Sequence, residues 1–157
     1  MYINKKAIIF IADVKAFNKF DRKSYMFSVA QIKAAHAQVK SGSDFPAYIQ
    51  QIKAFGLLRY EFFVEDGHTE YFGTDGYKVA AEPVYAQKSI ADNASSSALS
   101  QIIADHQQGK SDFFTFCQQV ADAGVKKWVV DTQAMVCTYY NLKAEEMLAE
   151  PIPQAGY

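Results

Sequence analysis

Gln31-Ile32-Lys33-Ala34-Ala35-His36-Ala37-Gln38 and Gln101-Ile102-Ile103-Ala104-Asp105-His106-Gln107-Gln108 align without a gap, and five of the eight positions are identical. After a two-residue deletion the match resumes: Ser43-Asp44-Phe45 with Ser111-Asp112-Phe113, Gln50-Gln51 with Gln118-Gln119, and Gly56 with Gly124. Between these anchors character is kept, with Tyr48 against Phe116, Ile52 against Val120, Tyr60 against Trp128, Phe62 against Val130 and Tyr71 against Tyr139. Self-similarity at a fixed offset is the mark of a repeated unit. Agreement this extensive points to one unit copied in tandem.

Each copy reads as two helices followed by strands. Ser28 with Gln31 three residues later is a capping-box pattern, and Val29, Ile32, His36 and Val39 recur on one helical face. Its counterpart carries Leu99, Ile102 and His106 after Asn93 to Ser97, a stretch rich in N-cap residue types. Both helices are expected to point a histidine inward. Ser43 and Ser111 are expected to cap the second helices, with Pro46 tolerated in a first turn whose N–H groups lack intrahelical partners. Their buried stripes are Phe45, Tyr48, Ile49, Ile52 and Phe113, Phe116, Cys117, Val120. Gly56 and Gly124 then fall where a helix end favours a residue at positive φ.

Arg59 to Glu65, Asp66-Gly67 and His68 to Phe72 read as a tight hairpin, because Asp-Gly suits the two positive-φ positions of a type I′ turn. A third strand is expected at Tyr77 to Ala80. The second copy offers Lys127 to Asp131, a looser Thr132 to Ala134 turn, Val136 to Tyr140, and Met147 to Ala149. Glu82 to Ser97 reads as a connector, with a short strand around Ser89 to Ala91, and Pro151 to Tyr157 as a loosely held tail. The boundaries are an N-terminal extension at 1–25 and a single domain at 26–157, with repeats at about 27–81 and 98–150 joined by a connector at 82–97. The expected class is α+β, an antiparallel sheet with helices packed on it and a pseudo-twofold axis relating the copies.

Composition narrows the function classes. A chain of 157 residues with twelve Phe, ten Tyr and one Trp can bury a sizeable aromatic core. A net charge of −1 and no Lys/Arg block argue against a nucleic-acid partner. Cys117 and Cys137 have neither zinc nor redox-motif spacing, which suits a reducing cytoplasm. The apolar run Ala7 to Ala12 is cut short by Asp13 and Lys15 and followed by no small-x-small site, so it reads as structure rather than a targeting signal. No stretch approaches the length of a membrane span.

Gly109-Lys110-Ser111-Asp112-Phe113, Gly124 to Asp131, Tyr139-Tyr140, Ser41 to Pro46 and Asp66-Gly67-His68-Thr69 together resemble a small bacterial family of unknown function. Some of its members are encoded in prophages or labelled phage envelope protein-like. The resemblance covers about Met26 to Glu150. It implies a duplicated α+β fold and a bacterial, cytoplasmic protein, and it supplies no catalytic residues. The leader at 1–25 departs from the family pattern, and Met26 is an alternative start.

His36 and His106 would occupy equivalent environments under a pseudo-twofold, where they could share a metal, a proton or an anion. Two histidines alone make an incomplete metal site, and such helix histidines commonly bond a backbone or tyrosine partner. His68 is expected opposite Glu65 across the tight turn as a hydrogen-bonded cross-strand pair; the alternative is a divalent-metal site in which Glu70, on the same face, supplies a third ligand. Cys117 and Cys137 read as small core residues. The strand aromatics, Trp128 and Tyr139 among them, are mostly core, but the surplus of Tyr leaves room for an aromatic-lined groove. No phosphate loop, nucleophile elbow or paired-carboxylate signature is present. The expectation is a non-enzymatic binding or accessory module, monomer or homodimer, without cofactor or resident metal and without a membrane. Its partner would be a protein or a small molecule. The alternative is a small enzyme or metal-binding protein using His36 and His106.

Overall fold

The computed structural model describes residues 26–153; the readings for the leader at 1–25 and for residues 154–157 of the tail lie outside them. The order is α1 (Val29–His36), α2 (Phe45–Ala54), β1 (Arg59–Phe63), β2 (Thr69–Phe72), β3 (Lys78–Ala81), α3 (Ser96–Gln107), α4 (Phe113–Asp122), β4 (Lys127–Asp131), β5 (Val136–Tyr140) and β6 (Glu146–Pro151). The strands form one antiparallel sheet in the order β3-β2-β1-β4-β5-β6. This is the expected α+β class.

The sheet is symmetric about its middle. β1 pairs with β4 so that Arg59 faces Asp131, Glu61 faces Val129 and Phe63 faces Lys127. Glu61 and Val129 are matched positions of the internal alignment, so a local twofold through that pair generates the register. Val64 N–H to Lys126 C=O (2.9 Å) and Thr132 N–H to Leu58 C=O (3.0 Å) extend the seam at its two ends in the same way. The helices pack within their own halves, α1 on α2 and α3 on α4, with α1 also against β3 and α3 against β6. These are the opposite edges of the sheet.

Local chemistry sets the helix starts. Gln31 N–H donates to Ser28 Oγ (3.2 Å) while Ser28 N–H donates to Gln31 Oε1 (2.8 Å), closing the expected capping box. Ala98 N–H donates to Ser95 Oγ (3.2 Å) at the start of α3. The second helices differ from expectation by one residue, being capped at Asp44 and Asp112 rather than Ser43 and Ser111. Asp112 Oδ1 accepts from Thr115 N–H (2.7 Å), and a carboxylate there also meets the positive end of the helix dipole. Asp44 instead turns back to accept from Lys40 and Ser41 N–H, bracing the 3-10 turn at Gly42–Asp44. Gly56 and Gly124 both sit at positive φ past the helix ends, as expected.

The first hairpin corrects the tight-turn reading. Arg59 pairs with Phe72 and Phe62 with Thr69, and Gly67 N–H donates to Phe63 C=O (2.8 Å). The loop is therefore Val64-Glu65-Asp66-Gly67, and His68 stands beside Phe63 rather than opposite Glu65. Val64 is wholly buried and committed to Lys126 in the other half, which takes it out of the β1–β2 ladder. The connector forms no strand at Ser89 to Ala91. Lys88 N–H goes to Glu65 C=O and Ala91 N–H to Ala121 C=O, single bonds to separate elements that cannot build a ladder. The tail begins more firmly than expected, since Pro151 belongs to β6 and buried Ile152 donates its N–H to Met135 C=O.

The two faces of the sheet differ in chemistry. Tyr60, Phe62, Tyr71, Trp128, Val130 and Tyr139 point into the core beneath the helices. On the other face Lys127 Nζ donates to Glu61 Oε1 (2.6 Å), Arg59 lies over the Phe72 ring (3.8 Å), and Lys78 pairs with Glu70. That face satisfies its own charges.

Candidate functional site

The histidines singled out from sequence are not brought together. α1 and α3 lie over opposite edges of a six-stranded sheet, about 24 Å apart at the usual strand spacing. His36 is exposed rather than inward, because Ile32 and Ala35 supply the core face of the short α1. Its ring meets Tyr48 edge-on at 5.2 Å. His106 is half-buried, stacked on Phe116 at 4.4 Å, with Nδ1 at 3.0 Å from both Ser111 O and Ser111 Oγ. Each therefore has a local partner in its own half, and among the described residues no three His, Cys, Asp or Glu side chains gather as a metal site would require.

His68 Nδ1 lies 2.6 Å from Asp66 Oδ1, and its ring lies flat on Phe63 at 4.3 Å. Partial burial pushes the Asp66 carboxyl up, but hydrogen bonds from the His68 backbone N–H and ring outweigh it and hold the carboxyl below its ordinary value. The other acids of the expected cluster are engaged elsewhere, Glu65 with Gln87 and Glu70 with Lys78. Burial pushes the Cys117 thiol up to about 11 and the Cys137 thiol up to about 12. Both stay protonated at neutral pH and are poor nucleophiles.

The core face of the sheet is the most concentrated chemistry in the molecule. Antiparallel pairing sets Tyr71, Tyr60, Val130, Cys137 and Glu150 in one row across five strands, and Thr69, Phe62, Trp128, Tyr139 and Leu148 in the next. Phe62 and Trp128 stack across the central seam at 4.2 Å, and Trp128 meets Tyr139 at 5.9 Å and Phe116 at 5.7 Å. From α2, Tyr48 joins this floor. Burial raises the Tyr60 phenol well above its ordinary value, and Tyr48, Cys137, Tyr71 and Tyr139 add to the shift through charge repulsion, so these groups face one another.

Their hydroxyls are not all provided for. Tyr71 has Thr69 beside it and Tyr139 has the Cys137 thiol, whereas the Tyr77 and Tyr85 hydroxyls outside the cluster each donate to a carbonyl at 2.6 Å. Tyr48 and Tyr60, only 5% and 9% exposed, have no hydrogen-bond partner for their hydroxyls among the described residues. Neither oxygen is sealed off, since Gln119 Oε1 is the one fully buried side-chain atom left without a partner there. Both oxygens therefore keep some accessible surface within an otherwise buried aromatic floor. From the sequence Tyr60 is one of several strand aromatics and Tyr48 part of a buried helical stripe, with Trp128 and Tyr139 as the named candidates; nothing there singles out this pair. The matched residues Phe116 and Trp128 mark both positions as aromatic, but only the fold tells which hydroxyl lacks a partner.

A second surface lies at the corner where the first hairpin meets the connector and α4. Asp66 C=O accepts from Val84 and Tyr85 N–H, and the Tyr85 ring meets Phe114 at 6.3 Å. Val84 and Phe114 stay more than half exposed, at 54% and 58%.

Among the described residues no helix is long and apolar enough to cross a membrane. No curated protein matches the chain. One protein family does, described as "Protein of unknown function (DUF1398)", over residues 33–151.

Proposed function

Because the chain belongs to this family of unknown function, its role is read from its own geometry, and we propose that it is a non-enzymatic binding module holding a small ligand on the aromatic core face of its sheet. The carrying observation is the pair of unpartnered hydroxyls on Tyr48 and Tyr60. Hydroxyls with no partner in the chain are left to water, and a ligand that replaces that water makes a hydrogen bond that phenylalanine at either position could not. In the same reading the protein is bacterial and cytoplasmic, an accessory factor of prophage origin, whose two halves descend from one duplicated unit.

Trp128 is the only tryptophan and stands in the floor of this site, so its emission reports occupancy. Native mass spectrometry after incubation with a bacterial small-molecule extract should recover a retained compound that also shifts Trp128 emission. Tyr48→Phe and Tyr60→Phe should lose that compound while melting at the same temperature as wild type or higher. The reading fails if wild type retains nothing, or if both variants retain the compound equally well.

A further inference from the structure

The two halves fill the space beside their last turn in opposite ways. In the first, Phe27 meets Tyr77 edge-on at 5.1 Å and accepts from its hydroxyl at 2.6 Å, and a side chain at Gly73 would meet Met26, Phe27 and Tyr77 at 3.1–3.2 Å. That turn is packed shut by the residues leading into α1. In the second half Asn141 and Glu145 stand where Gly73 and Tyr77 do, and the same backbone bond joins each pair, from the N–H of the first to the C=O of the second. Counting back from the N-caps Ser28 and Ser95 puts Ala94 and Asn93 in place of Phe27 and Met26. The three large side chains are gone. Between residues 92–94 of the connector and the turn at 141–145 there is instead a groove of about 540 Å³, a volume in the range of small-molecule sites.

Asp92, Lys143 and Glu145 line this groove together with Leu142, whose side chain is 43% exposed. Asn141 Oδ1 braces the turn by accepting from Lys143 and Glu145 N–H, both at 2.9 Å. The charges do not close on one another, since no ion pair joins Lys143 to either carboxylate. We propose that the groove is a binding site, distinct from the core face and independent of the reading given for it, for a free amino acid of the dibasic, lysine type. Its two ammonium groups match Asp92 and Glu145, its carboxylate matches Lys143, and its methylene chain suits Leu142. An anion would meet two carboxylates with one ammonium group to offset them, and a plain diamine would meet Lys143 with nothing to offer it. Each contact is exposed, so each contributes modestly and weakens with salt.

Two-dimensional NMR titration of the full chain with L-lysine should give saturable shifts centred on the amides of Ala94, Leu142 and Lys143. Cadaverine, which is lysine without its carboxylate, should bind about threefold more weakly. Lys143→Gln should abolish the difference between the two probes, and Glu145→Gln should weaken both. Ala94→Phe with Glu145→Tyr restores the first half's side chains at these places; it should close the groove and lose both probes while the spectrum stays that of a folded chain. No saturable shift in wild type, shifts centred elsewhere, or full lysine binding by the filled variant would overturn the site. Equal binding of lysine and cadaverine to wild type, or a difference that survives Lys143→Gln, would overturn the amino-acid assignment.

Discussion

The two halves of the molecule share an element order and the register of their first hairpins, yet β5–β6 is shifted by one residue from β2–β3 through a bulge at Tyr139/Tyr140, and the hairpin corners are finished differently. In the second half Ile152 follows β6, donates to Met135 C=O and is 7% exposed; in the first, the matched Val84 donates to Asp66 C=O, one residue before the counterpart of Met135, and stays open to solvent. The backbone shows the same contrast. Gly67 and Gly76 take positive φ in the first half, where the matched residues of the second are Met135 (φ 54°) and Ala144 (φ 62°). The shared backbone geometry is thus met by glycine on one side and by strained side-chain-bearing residues on the other. What differs is how each corner is covered.

The sharpest way to break the equivalence is at Gly56 and Gly124. Both are at positive φ, but a Cβ on Gly124 would lie 2.7 Å from Ala94 Cα in the connector, while one on Gly56 meets nothing within 4 Å. Gly124→Ala should therefore destabilise by about 3 kcal/mol, combining left-handed strain with a backbone clash. Gly56→Ala should cost only the strain, about 1 kcal/mol. Urea denaturation of the two variants checks this, and equal losses would show that the connector yields without resistance.

A smaller effect of opposite sign is expected at Ala144, which is exposed and sits where the first half has Gly76. Ala144→Gly should stabilise by about 0.5–1 kcal/mol, because relief of the left-handed conformation exceeds the added flexibility of the unfolded chain. Gly76→Ala should destabilise by a similar amount. A stability loss in Ala144→Gly would mean that its methyl group contributes contacts that outweigh the strain.

Much of this architecture was legible because the helix and strand periods are clear and each is present twice. The hairpin loop was not, for a definite reason. A two-residue Asp66-Gly67 turn and the observed four-residue loop leave the same residues, Tyr60, Phe62 and Tyr71, facing the core. Alternation cannot separate registers two residues apart. The deciding contact, Val64 to Lys126, lies in the other half of the sequence. His36 misled because helical spacing admits two adjacent faces on an eight-residue helix, and Ala35 took the buried one. The surplus of tyrosine pointed to the aromatic floor, but which hydroxyls lack partners depends on neighbours set by tertiary packing.

The smallest expected effect concerns the Asp66–His68 contact, which the second half lacks because Ala134 stands where Asp66 does. The Asp66 carboxyl is held below its ordinary value, so its contribution is present above the unfolded pKa of about 4 and is lost as pH falls through the lower folded value. Both partners are partly solvated, and the gain over Asp66→Asn should stay under about 1 kcal/mol. Denaturation midpoints should differ at pH 6 and converge in strong acid; a gap that persists there would assign the effect to something other than ionisation.

The seam between β1 and β4 has a kinetic consequence. The hairpins close across four residues (β1–β2 and β4–β5) or five (β2–β3 and β5–β6), whereas the seam closes across the connector, two hairpins and two helices. Long closures cost more chain entropy and are rewarded late. The local hairpins therefore mature first, and zipping of Glu61 against Val129, bringing Phe62 over Trp128, is the step that governs how fast the whole sheet appears.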